Sequence, residues 1–148
     1  MITGNIESVK EFMQGLFNGD MFDRFHVSSC MVTTFVEYSI DGKYNKNWFE
    51  NGEKDQEASG LITWLEIKPM VYQMIRGHRT PEKMKIDFCH YMPDGDVASI
   101  RIEYQDGQLR FYTGYMQKEF TLNKEKQQEW DENCLLFFKK NQIISNLA

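Results

Sequence analysis

The sequence has few cysteines, a deficit of positive charge and no long hydrophobic run. Its three cysteines, Cys30, Cys89 and Cys134, are scattered and lack CxxC spacing. This argues against a disulfide framework or a zinc site and favours reduced, buried thiols. Lys and Arg number 17 against 22 Asp and Glu, which gives a formal net charge of −5. General nucleic-acid coat proteins carry a basic excess instead, so only a local basic face is compatible with this composition.

The sequence also lacks the signals of export and membrane insertion. No apolar stretch approaches the roughly 18 residues that cross a bilayer, and the opening MITGNIESVKEF has neither a basic n-region nor a long apolar core. We therefore expect a cytoplasmic protein with no membrane partner. With 148 residues, 41% of them hydrophobic and 14% aromatic, the chain is typical of one compact domain over residues 1–148.

Two stretches, 8–19 and 63–77, have the signals of amphipathic helices. Each begins with a capping box, in which a hydroxyl and a glutamate three residues later satisfy amides at the helix start. Ser8 pairs with Glu11, and Thr63 pairs with Glu66. Each stretch ends at a glycine, and each has apolar side chains at helical spacing. A third amphipathic pattern follows Asn123, the expected cap of a C-terminal helix.

Alternating apolar and polar residues predict the strands. One strand is expected over 31–40, closed by a turn at Asp41-Gly42, and another begins near Met84. The segments 98–105 and 109–115 flank Asp106-Gly107, which is the strongest local signal for a hairpin.

The remaining segments complete the predicted architecture. The N-terminal residues are read as an edge strand, residues 43–58 as an exposed polar crossover, and the last strand is expected to end near Leu122. The order of elements predicts an α+β fold, a single domain with a mainly antiparallel sheet, two amphipathic helices packed on it and a C-terminal helix.

Short blocks along nearly the whole chain are similar to a known family. They are Phe22-Asp23-Arg24-Phe25, Thr33-Thr34-Phe35, Ser39-Ile40-Asp41-Gly42, Arg76-Gly77-His78-Arg79-Thr80-Pro81, Thr113-Gly114, Phe120-Thr121-Leu122, Trp130-Asp131-Glu132 and Phe137-Phe138-Lys139-Lys140. The chain resembles a family of small bacterial proteins catalogued only as a domain of unknown function. The resemblance implies a bacterial, cytoplasmic origin and transfers no catalytic residue. Members of that family carry a longer insertion where this chain has only Pro93-Asp94-Gly95-Asp96.

The densest basic stretch lies at the end of the second predicted helix. The candidate ligand-binding residues are Lys68, Tyr72, Arg76, His78 and Arg79, with Lys83 and Lys85 following. Such a cluster can neutralise phosphates, and Tyr72 could stack on a base. The simpler interpretation is structural, because Arg76 near a helix C-terminus favours the helix dipole and Lys85 on an outward strand face is ordinary solvation.

Motifs for catalysis or for metal binding are weak. Pro93-Asp94 and Glu103 are similar to a nuclease pattern for a divalent ion, but Gln105 stands where that chemistry needs a lysine. Cys89 and His90 are adjacent in a strand, so their side chains point to opposite faces. We therefore predict no metal site, no cofactor and no identifiable catalytic residue, which leaves the protein's status as an enzyme open and favours a non-enzyme.

Three functional hypotheses follow. The first is a non-enzymatic binding or interaction module with a protein partner or a second copy of itself. The second is a clamp-like protein that associates with DNA, because the repeated order of helix and strands resembles half-domains of sliding clamps; it would use Lys68, Arg76 and Arg79. The third is an enzyme for a nucleotide or phosphate ligand that uses the same basic loop.

Overall fold

The computed structural model describes residues 1–49, 60–77 and 79–148. Its helices and strands are, in chain order, β1 (Thr3–Ile6), α1 (Val9–Asn18), β2 (His26–Thr33), β3 (Glu37–Asp41), α2 (Trp64–Ile75), β4 (Lys83–Tyr91), β5 (Val97–Gln105), β6 (Gln108–Met116), α3 (Glu125–Lys140) and β7 (Ser145–Leu147).

The strands form one seven-stranded sheet in the order β3-β2-β4-β5-β6-β1-β7, and every neighbouring pair is antiparallel. The predicted hairpin is confirmed. Asp106 and Gly107 join β5 to β6, and both have positive φ, 54° and 75°. Positive φ at both central residues is the requirement of a type I′ turn, whose twist matches that of the strands.

The hydrophobic core lies on one face of this sheet, where all three helices contribute to a single cluster. Cys30, Ile86, Ile102 and Phe111 are in register across four strands, and all four are buried. Alternation along the strands places mainly polar side chains on the opposite face, among them Lys85, Asp87 and Arg101. The expected α+β fold with helices packed on an antiparallel sheet is therefore confirmed.

On the opposite face, one row of polar side chains is bonded across neighbouring strands. Ser29 donates to Asp87 at 2.6 Å, and Arg101 Nε donates to the other oxygen of that carboxylate at 2.6 Å. Lys85 and Glu103 form the next row. This pattern is that of a solvated sheet surface, as the structural interpretation of Lys85 predicted.

The helix α2 begins as its capping box predicts. The Thr63 hydroxyl accepts from the Glu66 amide, and a Glu66 carboxylate oxygen accepts from the Thr63 amide at 3.1 Å. Trp64, Ile67 and Val71 are buried, and the Trp64 indole donates to the Leu16 carbonyl at 2.9 Å. That bond ties α2 to α1.

The C-terminal helix α3 packs through Trp130, Cys134 and Phe138, as its apolar stripe predicts. Its buried Asp131 accepts a hydrogen bond of 2.6 Å from Thr113 on β6. The same carboxylate forms an ion pair of 2.8 Å with the Met1 ammonium group. A buried carboxylate needs such partners, so these contacts fix α3 against the sheet.

Several predicted boundaries are wrong. The stretch 31–40 is not one strand, because residues 34–36 form a turn in which the Thr34 amide donates to the Val36 carbonyl at 2.9 Å. The turn at Asp41-Gly42 is absent. The chain instead continues beside β2, with the Gly42 amide bonded to the Ser28 carbonyl at 3.0 Å.

The ends of the chain also differ from expectation. β1 is an interior strand, because β7, which has no alternating pattern, pairs with its outer side. Ser8 does not cap α1. It adopts φ 54°, and its side chain makes no capping bond. β6 ends at Met116 rather than near Leu122, since the Lys118 amide turns toward the Asp96 carboxylate at 2.8 Å.

Three other expectations concern the crossover, the membrane and the thiols. In the described part of the crossover, residues 43–49, Trp48 is exposed, and residues 50–59 lie outside the described residues. Among the described helices, none has the length and apolar character to cross a bilayer. All three cysteines are free and buried, as predicted.

Candidate anion-binding groove

Lys68 lies at the contact between α2 and the loop after α1. Its ammonium group donates to the Asp23 carboxylate at 2.7 Å and to the Gly19 carbonyl at 3.0 Å. Both charged side chains are mostly buried, with exposed fractions of 15% and 16%. The charge of Lys68 is thus neutralised inside the fold, and Lys68 does not line the groove that contains Arg76 and Arg79.

Tyr72 lies on the same side of α2 as Lys68. Its ring packs against Phe17 of α1 with centroids 5.9 Å apart and a tilt of 54°. This contact holds the two helices together, and the side chain remains half exposed. His78, another candidate, lies outside the described residues.

Arg76 and Arg79 lie together at the C-terminal end of α2. They line one groove of about 580 Å³, which we call the arginine groove. The groove is formed by the end of α2, the loop after it, the β2–β3 turn and the start of β3: Thr34, Phe35, Tyr38, Gln73, Met74, Ile75, Arg76, Gly77, Arg79, Thr80 and Glu82.

Strand pairing explains why these distant segments meet. β4 pairs with β2 so that Lys83 lies opposite Thr33, and the Glu82 amide donates to the Thr33 carbonyl at 2.9 Å. The loop before β4 must therefore pass beside the β2–β3 turn. α2 ends at Ile75 with Arg76 as its C-cap, and Gly77 follows with φ 150°, a conformation that glycine adopts without the strain of a side chain.

The groove is basic and incompletely paired. Neither guanidinium group has a carboxylate partner among the described residues, and both arginines are exposed. Glu82 is the single carboxylate among the described lining residues. Thr34 keeps its Oγ1 atom buried without a hydrogen-bond partner in the described part of the chain. A buried hydroxyl left in this state costs about 1–3 kcal/mol.

Sequence reasoning found the two arginines but missed Thr34, Phe35 and Tyr38. A signal was present, since Thr33-Thr34-Phe35 and the block 76–81 both belong to the stretches that carry the family resemblance. Nothing local indicated that they meet, because about forty residues separate them.

A second charged cluster joins the β4–β5 turn to α3. Asp94 accepts from the Lys126 ammonium group at 2.6 Å, and the buried Asp96 accepts from Tyr115 at 2.7 Å and from the Lys118 amide at 2.8 Å. The bond from Lys126 lowers the pKa of Asp94, and the bond from the Lys118 amide is the main cause of the lowered pKa of Asp96. The bonds that Lys126 donates to Asp94 and to Asp96 raise the pKa of Lys126 to about 12.

This cluster is a structural tie rather than half of a nuclease site. Asp94 lies in the turn before β5, whereas Glu103 is six residues beyond Val97, the first residue of that strand, which is about 20 Å along the strand at roughly 3.3 Å per residue. In the described part of the chain, no group of three or more His, Cys, Asp or Glu side chains is placed to hold a metal ion.

The thiols are poor candidates for chemistry. Burial raises the pKa of Cys30 and of Cys134 from 9.0 to about 12, and it also raises the pKa of Cys89. A reactive cysteine needs a lowered pKa, because the thiolate is the nucleophile.

Fold and groove together define an α+β protein with one helix-covered sheet face, one polar sheet face and a small basic groove at the end of α2. The chain belongs to a family of unknown function (DUF5721), whose model matches residues 15–96 and 93–145. This confirms the resemblance to a family without an assigned activity. The two matched segments overlap at 93–96. This is the turn at which the chain is shorter than the family members that it resembles. No curated protein and no solved structure matches the chain.

Proposed function

We propose that this protein is a non-enzymatic binding module that holds a small anionic ligand in the arginine groove. The observation that carries the proposal is the presence in one groove of two guanidinium groups, those of Arg76 and Arg79, that no carboxylate among the described residues pairs with. A guanidinium group presents a planar fork of donors that matches a carboxylate or phosphate group. The groove volume of about 580 Å³ is within the range of sites for small molecules.

The helix dipole does not account for both arginines. A cation near the C-terminus of a helix is favourable by about 0.3–1 kcal/mol, which explains Arg76. The effect fades within the last turn, whereas Arg79 follows the last helical residue, Ile75, by four positions. A bound anion would stabilise both side chains in a chain whose net charge is −5.

Binding rather than catalysis is proposed because the groove offers charge and donors without an activated nucleophile. The hydroxyl groups in the described lining belong to Thr34, Tyr38 and Thr80. In the described part of the chain, none of them hydrogen-bonds to Glu82, which is the single carboxylate among the described lining residues. Nucleophilic catalysis by a hydroxyl group normally uses such a partner as its base.

Isothermal titration calorimetry with pyrophosphate at low ionic strength tests the proposal. Wild-type protein is expected to bind. The double variant Arg76→Ala, Arg79→Ala should bind at least roughly tenfold more weakly, since a hydrogen bond to a charged group contributes about 1.5–3 kcal/mol. The matched control is Lys139→Ala, Lys140→Ala at the end of α3. It also removes two positive charges but should leave the affinity unchanged. Equal losses in both variants, or no binding by wild type, would contradict the proposal.

Duplex DNA in the same titration addresses the clamp-like hypothesis. That hypothesis assigns phosphate contacts to Lys68, Arg76 and Arg79, and Lys68 is already paired with Asp23. Salt-dependent binding of duplex that is tighter than binding of pyrophosphate, and that is lost in the double arginine variant, would favour the clamp-like protein over a module for a small ligand. Turnover of a nucleotide would favour the third hypothesis, an enzyme that uses the same basic loop.

A further inference from the structure

Phe35 lies at the tip of the β2–β3 turn and lines the arginine groove. Its side chain is 88% exposed, and its neighbour Val36 is 44% exposed. The hydrogen bond from the Thr34 amide to the Val36 carbonyl, 2.9 Å long, closes the turn that carries Phe35. An aromatic ring left in water forgoes the favourable burial of its apolar surface. Because Phe35 lines the same groove as Arg76 and Arg79, its open ring is available to a ligand that binds there.

The groove thus has a charged side and an aromatic side. Arg76 and Arg79 suit a phosphate group, whereas the open face of Phe35 suits a planar ring. The half-buried Tyr38 also lines the groove, and its hydroxyl group can hydrogen-bond a sugar or the edge of a base.

We infer that the anionic ligand is a nucleoside phosphate, with its phosphate on Arg76 and Arg79 and its base stacked on Phe35. This inference rests on the proposed function and adds the chemical class of the ligand. The stacking role falls to Phe35 rather than to Tyr72, whose ring packs against Phe17 outside the groove. The same chemistry is present in a free nucleotide and in the terminal nucleotide of a single strand.

The decisive experiment compares ligands that lack one half of the nucleotide. Adenosine monophosphate should bind more tightly than ribose 5-phosphate, which has no base, and more tightly than adenosine, which has no phosphate. Phe35→Leu should weaken the binding of adenosine monophosphate by about 5- to 150-fold, the usual loss of one stacking contact. It should leave the binding of ribose 5-phosphate unchanged. Phe35→Trp, which keeps an aromatic ring at this position, should bind adenosine monophosphate about as tightly as the wild type does.

Phe120→Leu is the matched control, because Phe120 is 90% exposed and lies outside the arginine groove. It should have no effect on any ligand. If pyrophosphate binds but adenosine monophosphate binds no better than ribose 5-phosphate, the inference is wrong and the anion-binding module stands. If neither pyrophosphate nor nucleotide binds, both are wrong.

A 5′-phosphorylated oligonucleotide identifies the source of the ligand. Binding equal to that of the mononucleotide supports a free nucleotide. Tighter binding that still depends on Phe35 supports the end of a single strand. Tighter binding that does not depend on Phe35 contradicts the inference.

Discussion

Gly42 lies where the chain leaving β3 passes over β2. A Cβ atom at this position would overlap the carbonyl oxygen of Val27, and the Gly42 amide is bonded to the Ser28 carbonyl on the same strand. Because both neighbours are backbone, they cannot yield as a flexible side chain would. The residue is therefore required by a close approach, whereas the sequence pattern assigned it to a turn.

Gly42→Ala should consequently destabilise the fold by about 1–3 kcal/mol, the usual cost of overpacking. The midpoint of urea unfolding measures this. Gly15→Ala serves as the control, since the nearest atom to its added Cβ would be the flexible end of Met21 at 3.1 Å. Alanine is also more favourable than glycine inside a helix by up to about 1 kcal/mol, so this control should not lose stability. Equal midpoints for Gly42→Ala and wild type would contradict the close approach.

At the scale of elements, α1 and α2 share the same start signal but begin differently. The Thr63 side chain caps α2, whereas Ser8 has φ 54° and makes no capping bond. The preceding Glu7 amide is bonded to the Ile144 carbonyl at 2.8 Å. A tertiary contact with the C-terminal segment is thus present next to Ser8, whose positive φ distinguishes the start of α1 from that of α2.

This difference predicts unequal effects of one substitution at two helix starts. Thr63→Ala should lower the free energy of unfolding by about 0.5–2 kcal/mol, because an amide of α2 loses its acceptor. Ser8→Ala should change it by less than about 0.5 kcal/mol. Chemical denaturation of both variants provides the comparison. A loss at Ser8 as large as that at Thr63 would show that the capping bond is not the cause.

Local chemistry explains which elements were predictable. The capping box of α2 and the Asp106-Gly107 turn act within a few residues, so the sequence alone indicated both. β7 has three residues and forms by pairing with β1, far away in the sequence. The split of 31–40 into β2 and β3 was missed for a related reason, since the alternation continues through the turn at 34–36. The groove likewise depends on β2 pairing with β4.

For the whole molecule, stability should be greatest between mildly acidic and mildly alkaline pH. Asp94 and Asp96 have folded pKa values below their ordinary 3.8. Their contribution is complete above that value and is lost as the pH falls through the folded pKa values. Cys30 and Cys134 ionise from 9.0 in the unfolded chain but only near 12 in the fold. Stability therefore decreases as the pH rises across that interval.

Urea midpoints measured across the pH range test both limbs of this curve. The alkaline limb should fall with a slope of about 1.4 kcal/mol per pH unit for each buried thiol. Lys126→Gln should flatten the acid limb, because the Lys126 ammonium group is the main cause of the lowered pKa of Asp94. Lys124→Gln, at the start of α3, is the control and should leave the curve unchanged. An acid limb unaffected by Lys126→Gln would contradict the assignment.

For the whole molecule, ligand binding is expected at one corner, where α2 ends beside the β2–β3 turn. The most direct test is an NMR titration of the backbone amides with pyrophosphate. We expect the largest shifts on Thr34, Phe35, Gly77, Arg79 and Thr80, and we expect them to disappear in the Arg76→Ala, Arg79→Ala variant. Shifts that cluster elsewhere on the fold, or that persist in the variant, would contradict this expectation.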